Sequence, residues 1–305
     1  MNLISHLCIE TRMSGSDLEY LIATASKRYK VYGIPKKSGG LRTIAHPARE
    51  LKTLQRALIA RSPKKLQVHQ CATAYEQGTS ILLNASQHAQ NPWIANLDFS
   101  NFFNSISTGS WCEYLQSLDV EEEYTDISSN VFFWRPKRAN TSILSVGAPS
   151  SPFVSNRIMF EFDTKASEYF AQQGVKYTRY ADDMTFSGKE KFDLPELEKR
   201  VCDFLPPYLK LEINGLKSRQ AGPGSRKLVT GLVVTDDGKV TLGKRLRKRI
   251  EAYVDKYSTG KHYDVTKEKI LGYLAFLRHV EPEAYEKIRN KYSGKAKDLF
   301  SEDKK

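Results

Sequence analysis

The run Tyr177-Thr178-Arg179-Tyr180-Ala181-Asp182-Asp183-Met184-Thr185-Phe186 sets two adjacent aspartates between segments that favour strand. Val175 and Tyr177 before the pair, and Met184 and Phe186 after it, alternate with polar neighbours. The pattern predicts two antiparallel strands joined by a tight turn with both carboxylates at its tip. Like charges this close repel, and a divalent cation bound to the phosphates of a nucleotide would relieve the repulsion. The competing reading is a solvated acidic turn, because Asp is common in turns. The hairpin alone favours that plainer reading, and the rest of the chain reverses the balance.

Working outward, the 305-residue chain is 40% apolar and lacks low-complexity tracts. That is enough for a large core and two or three packed subdomains. The formal net charge is +12, and residues 237 to 305 hold 18 Lys and Arg against 11 Asp and Glu. Such a balance favours a polyanionic partner, a nucleic acid or an anionic membrane surface. No apolar run reaches the roughly 18 residues that a membrane span needs. Met1 to Arg12 lacks the basic start and long apolar core of a secretory signal. Cys8, Cys71, Cys112 and Cys202 are scattered, without zinc spacing or a disulfide framework. Together these features predict a cytoplasmic protein with no membrane partner.

Local signals divide the chain further. Ser16-Asp17-Leu18-Glu19 matches a capping box, followed by Leu18, Leu21, Ile22 and Ala25 at helical spacing. A basic glycine-containing loop runs from Pro35 to Arg42, and a helix with Leu51, Leu54, Leu58 and Ile59 on one face is expected after Pro47. Residues 93 to 99 alternate as a strand. Gly147-Ala148-Pro149-Ser150-Ser151-Pro152 reads as a turn into a helix, with a Ser cap and a Pro in the first turn, continuing through Ala166. Lys227 to Val234 and Lys239 to Leu242 form a hairpin candidate around Asp236-Asp237-Gly238. Helices are expected over Arg245 to Tyr257 and Lys267 to Val280.

Asp98 lies on the strand at 93 to 99, whose other face is apolar. A charge there is expensive to bury unless paired or metal-bound. Joined to Asp182 and Asp183 it would complete a three-carboxylate cluster able to hold two Mg²⁺ about 3.5–4 Å apart, the arrangement for in-line phosphoryl transfer. The alternative is a strand-end aspartate in an Asx turn with Ser100 or Asn101.

Three motifs in order carry a resemblance to reverse transcriptases. Tyr180-Ala181-Asp182-Asp183 resembles their active-site box, and Asp98-Phe99-Ser100-Asn101-Phe102-Phe103 their first catalytic motif. Gly147 to Pro152 resembles the motif on which the incoming nucleotide and template base rest. Within that family the chain is most similar to the retron enzymes. Asn84-Ala85-Ser86-Gln87-His88 matches their Asn-Ala-x-x-His signature, and Val229-Thr230-Gly231 their Val-Thr-Gly signature. Gly272 to Phe276, followed by Glu281-Pro282, resembles their C-terminal helical segment.

The resemblance implies an α+β right-hand polymerase. Its fingers would span 1–95, its palm 96–236, built on a ferredoxin-like or RRM-like antiparallel sheet, and its helical thumb 237–305. It implies Asp98, Asp182 and Asp183 as catalytic metal ligands for two Mg²⁺, with the Phe99 carbonyl adding an oxygen. Phe103 matches the aromatic gate that selects dNTPs. Gly147, Ala148 and Pro149 would floor the dNTP site. Lys36, Lys37 and Arg42 match the residues that clamp the triphosphate, for which the planar Arg fork suits phosphate. Lys217 would donate a proton to the leaving pyrophosphate, or equally be a solvated surface cation. Without the resemblance, Phe103 reads as core and the loop cations as a basic surface. One departure is Val146, where relatives carry Gln.

Lys244-Arg245-Leu246-Arg247-Lys248-Arg249 packs five cations into six residues, beside an apolar stripe of Leu246, Ile250, Tyr253 and Tyr257. Arg245, Lys248 and Arg249 are expected on duplex phosphates, against the plainer reading of a solvated basic face. By resemblance Asn84, His88, Val229, Thr230 and Gly231 would help to hold RNA, with a satisfied core or capping histidine as the alternative for His88. The implied partners are dNTP, a structured noncoding RNA of the msr-msd type and its RNA–DNA product, and a separate effector protein. The implied reaction starts from the 2′-hydroxyl of an internal guanosine and leaves a branched RNA–DNA molecule (msDNA) used in antiphage defence. A group II intron-like or diversity-generating enzyme, and a catalytically silent RNA-binding scaffold, are the alternative readings.

Overall fold

The computed structural model describes residues 2–36, 39–260 and 265–301. The chain divides into two compact units. One gathers residues 1–78, 96–185 and 193–219, the other 79–95, 186–192 and 220–305.

The first unit opens with helices Leu3–Thr11 and Gly15–Thr24. Ser14 caps the second of these, its Oγ accepting the Asp17 N–H at 3.2 Å, so the helix starts before the expected Ser16 box. Strands β1 (Tyr29–Pro35) and β2 (Leu41–Pro47) then form an antiparallel hairpin, Tyr29 opposite Pro47 and Pro35 opposite Leu41. Helix Arg49–Ala60 follows, burying Leu51, Leu54 and Leu58 at the spacing the sequence shows. Each such side chain taken from water stabilises the fold by roughly 1.5–3 kcal/mol.

The central sheet is built from β3 (Trp93–Asp98), β4 (Lys176–Tyr180), β5 (Asp183–Gly188) and β6 (Arg219–Ala221), in the order β4-β5-β3-β6. β4 and β5 are neighbours joined by only two residues, so they run antiparallel. Helices Ser150–Ile158 and Phe160–Gln172 precede β4, interrupted at Met159 rather than continuous. The serines at 150 and 151 are not caps. Pro149 takes that position, and the two hydroxyls, inside the first turn, donate to buried carbonyls of Phe132 (3.0 Å) and Ser145 (2.6 Å). Burying those carbonyls without a donor would be costly, which explains the pair of serines.

The second unit is a small sheet and a helical bundle. Strands β7 (Lys227–Val229), β8 (Leu232–Val234) and β9 (Val240–Thr241) pair in sequence order, all antiparallel. The expected single hairpin is thus two. The unforeseen turn is Thr230-Gly231, both at positive φ (46° and 88°), the type I′ geometry that matches strand twist. Glycine supplies that freedom at 231; a β-branched Thr at positive φ is unusual. Helices Lys244–Ser258, Lys267–Val280 and Pro282–Tyr292 pack around Ile250, Val254, Ile270, Leu274, Leu277 and Ile288. Among the described residues, no helix is long and apolar enough to cross a membrane. The four cysteines are free thiols.

Candidate active site and nucleic-acid interface

Asp182 occupies the tip of the β4–β5 turn, and Asp183 opens β5. One carboxylate, not two, therefore sits at the tip. Ala181 begins the turn in the left-handed region, at φ 59°. Asp98 ends β3, the strand beside β5. The Phe99 N–H donates to the Asp182 carbonyl at 3.2 Å, which ties the two acidic segments together through their backbones.

The three carboxylates are half-buried and feel one another. Burial, then the Asp98 charge, pushes the Asp183 carboxyl up to about 6. The same two causes raise Asp182. Opposing them at Asp182 are a backbone hydrogen bond and then the cations of Lys217 and Arg42. Lys217 Nζ lies 2.7 Å from Asp98 Oδ1. The turn that carries it is anchored to the same aspartate, since Asn214 N–H donates to the Asp98 carbonyl at 2.7 Å.

Among the described residues, no three His, Cys, Asp or Glu side chains stand close enough to chelate an ion as they lie. The expected cluster converges without closing. Asp98 pairs with Lys217 rather than with the other two acids. The donor set nonetheless suits a hard divalent cation: three oxygen-bearing acids, two of them desolvated and raised by a neighbouring charge, and one already drawing in an ammonium.

Beside the acids lies a cleft of about 440 Å³ lined by His46, Lys52, Arg56, Tyr75, Phe103 and the loop from Ser145 to Pro149. Phe102 takes the core position, stacked on buried Phe99 with ring centres 5.9 Å apart. Phe103, half-buried, faces the cleft, so the core reading belongs to its neighbour. Gly147 adopts φ 113° with Ile44 Cγ2 only 3.3 Å from where a Cβ would stand. Any other residue would strain the loop and press on β2. Ala148 is buried, Pro149 half-buried, and the Val146 carbonyl accepts the Ala45 N–H at 3.2 Å. Lys36 and Arg42 are exposed at the end of the β1–β2 hairpin. Lys37 lies outside the described residues.

The second unit sorts its signature residues differently. Asn84 and His88 are fully enclosed. His88 Nδ1 is 2.7 Å from Ser187 Oγ, to which Asn91 also donates at 2.9 Å. Side chains closed off in this way have no face for RNA, which corrects that expectation for both. Val229 is likewise core, and Thr230 Oγ1 donates to the Ile81 carbonyl at 3.3 Å. The two signatures thus pack on each other, helix Ile81–Ser86 against the β7–β8 hairpin. Only Gly231 of the Val-Thr-Gly run is exposed.

Arg245, Lys248 and Arg249 all reach solvent on helix Lys244–Ser258. Lys244 and Lys248 share a groove with Lys287 and Lys291 of helix Pro282–Tyr292. The sequence reading missed these two lysines because they lie far from the charge run. It also missed Arg179, a fully buried cation on β4, although a charge inside a strand was the clue. His46, Lys52, Arg56 and Tyr75 carried no motif and are found only by the fold.

The family described as reverse transcriptase (RNA-dependent DNA polymerase) matches residues 34–272. The chain is 34% identical over 293 residues to the Retron Ec83 reverse transcriptase of Escherichia coli, covering 93% of this chain and 94% of that one. It is 31% identical over 290 residues to the Retron Ec86 reverse transcriptase of the same organism, covering 94% and 88%. Among solved structures, apo telomerase from Candida Tropicalis superposes with a TM-score of 0.51 at 10% identity, over 88% of this chain and 58% of that one.

Proposed function

This chain belongs to the reverse transcriptase family as a retron-type member, an RNA-directed DNA polymerase of right-hand fold, and on that basis we propose how its residues divide the work. The observation that carries this division is that Asp98 and the Asp182-Asp183 pair meet on neighbouring strands, tied by the 3.2 Å bond from the Phe99 N–H to the Asp182 carbonyl, in the same unit as the cleft of Phe103 and Gly147 to Pro149.

In this reading Asp98, Asp182 and Asp183, with the Phe99 carbonyl, hold two Mg²⁺. Bound there, the ions supply positive charge that activates the attacking hydroxyl and stabilises the leaving pyrophosphate. Lys217 stands on Asp98 at 2.7 Å, beside the oxygens that would hold the cations. Its ammonium would be placed there as a proton donor for the leaving pyrophosphate. Arg42, with Lys36 and Lys37, grips the triphosphate. Phe103 walls the cleft where a 2′-hydroxyl would project, and Gly147, Ala148 and Pro149 let the backbone approach the nucleotide. Lys52 and Arg56 give the cleft a cationic side suited to a template phosphate.

The template and primer are one structured noncoding RNA of the msr-msd type. Synthesis starts at the 2′-hydroxyl of an internal guanosine and yields branched RNA–DNA (msDNA) that works with a separate effector in antiphage defence. Similarity to the two retron enzymes supports this reading. Residues 1–95 serve as fingers, 96–236 as palm and 237–305 as thumb. Arg245, Lys248 and Arg249, joined by Lys244, Lys287 and Lys291, meet RNA phosphates. Asn84, His88, Val229 and Thr230 shape the scaffold and leave Gly231 at its surface.

Sequencing the nucleic acid that co-purifies with the protein tests this. The expected result is one structured RNA with DNA joined through a 2′–5′ branch that resists removal until a debranching enzyme is added. Linear DNA, or no DNA at all, would refute the priming mechanism.

A further inference from the structure

Arg179 stands on β4, three residues before Asp182, and its side chain is fully enclosed. A guanidinium keeps its charge, so enclosure demands a counter-charge and partners for its donors. Asp163, equally enclosed on helix Phe160–Gln172, meets the first demand. Arg179 Nε lies 2.9 Å from Asp163 Oδ1, and Nη2 lies 2.5 Å from Oδ2. The Tyr177 hydroxyl donates to the same Oδ1 at 3.0 Å.

The remaining nitrogen has a different target. Nη1 donates to the Ala181 carbonyl at 3.0 Å and to Asn156 Oδ1 at 3.3 Å. Asn156 is itself fixed, its Nδ2 donating to the Ala74 carbonyl at 2.8 Å. Ala181 holds a left-handed conformation that disfavours an L residue by about 1–2 kcal/mol, so its neighbours must enforce it. Its carbonyl belongs to the planar peptide that carries the Asp182 nitrogen. Fixing that oxygen fixes the peptide plane before Asp182, the Phe99 N–H holds the Asp182 carbonyl after it, and the two together set the direction in which the Asp182 side chain leaves the backbone.

We propose that Arg179 is a positioning residue of the polymerase site, locking the Asp182 carboxylate in place through the Ala181 carbonyl with Asp163 as its buried counter-charge. The inference rests on the polymerase reading above. A pair that served stability alone would need only Nε and Nη2. Nη1 is spent on the turn, at the one residue whose backbone is strained there.

The test compares wild type with Arg179→Lys and with the double variant Arg179→Met/Asp163→Leu. Lysine keeps the charge but offers one nitrogen where three are used. The double variant removes both charges, a replacement that buried pairs often tolerate. Each is measured for melting temperature, RNA affinity, KM for dNTP, kcat and hydrogen exchange at the Phe99 amide, which donates to Asp182. In folded variants kcat is expected to fall at least about 30-fold with KM and RNA affinity within about twofold. Phe99 exchange should quicken about tenfold. Unchanged kcat and Phe99 exchange in a folded variant overturns the proposal. So does an activity loss that tracks only the unfolded fraction, or failure of both variants to fold, either of which assigns the pair to stability. If the wild type itself extends no primer, the polymerase reading fails, and Phe99 exchange alone then decides the positioning role.

Discussion

Lys217 Nζ sits 2.7 Å from Asp98 Oδ1, with the lysine mostly exposed and the aspartate largely covered. An ammonium thus rests where a catalytic cation would bind. The two compete for one carboxylate, which makes their exchange measurable. Lys217→Met should tighten Mn²⁺ binding, followed by electron paramagnetic resonance, about three- to tenfold. The same change should lower kcat for nucleotide addition about 10- to 100-fold, because a proton donor is lost. Unaltered Mn²⁺ affinity would mean the pair is incidental.

The raised Asp183 carboxyl gives a pH signature. Its folded pKa of about 6 lies above the ordinary Asp value. The folded protein therefore binds more protons than the unfolded chain between roughly pH 4 and 6. Stability from this group is present below that window and is lost as pH rises through it. Asp183→Asn in EDTA should gain about 1–3 kcal/mol at pH 8 and nothing near pH 3.5. Denaturant melts at both values check this. A gain that is the same at both would show that the charge is not responsible.

Phe103 faces the cleft while Phe102 fills the core, so truncating the two should have opposite signatures. Phe103→Ala should raise rNTP incorporation relative to dNTP about 10- to 100-fold with little loss of melting temperature. Phe102→Ala should destabilise by about 3–5 kcal/mol. Single-nucleotide extension assays and thermal melts separate these outcomes.

Val146 lines the same cleft without a hydrogen-bonding group. Val146→Gln is expected to lower KM for dNTP about two- to tenfold through one added polar contact. Steady-state primer extension measures it, and an unchanged or higher KM would count against a nucleotide-facing side chain at 146.

On helix Lys244–Ser258, Arg245, Lys248 and Arg249 all reach solvent. Replacing the three with Ala should reduce the slope of log affinity against log salt by about 2–3. Filter binding with the co-purified RNA at several salt concentrations reads that slope. A slope equal to wild type would return these cations to the solvated surface.

The candidate acids stand out in the sequence because a charge within a strand, or a pair at a turn, is a local feature. Strand alternation interrupted by charge singles out Asp98, Asp182 and Asp183, but that pattern alone fits a solvated turn and a strand-end aspartate; only the order of the three motifs points to a metal site. Helix Lys267–Val280 was readable to the residue, since its apolar spacing and caps agree. The Thr230-Gly231 turn was not, because a threonine at positive φ runs against local preference and is held by β7, β8 and the Ile81 carbonyl. His88 and Asn84 were misread as RNA-facing because motif position says nothing of burial. Arg179 was passed over for a related reason. Its role depends on Asp163, Asn156 and the Ala181 carbonyl, all brought together only by the folded chain.

The most direct test is primer extension on an RNA template with Mg²⁺ and dNTPs, comparing wild type with Asp182→Asn at matched folding and RNA affinity. Wild type should lengthen the primer, and the variant should lose at least about 1,000-fold in rate while still binding RNA. An Asp182→Asn protein that copies RNA as fast as wild type would contradict the account.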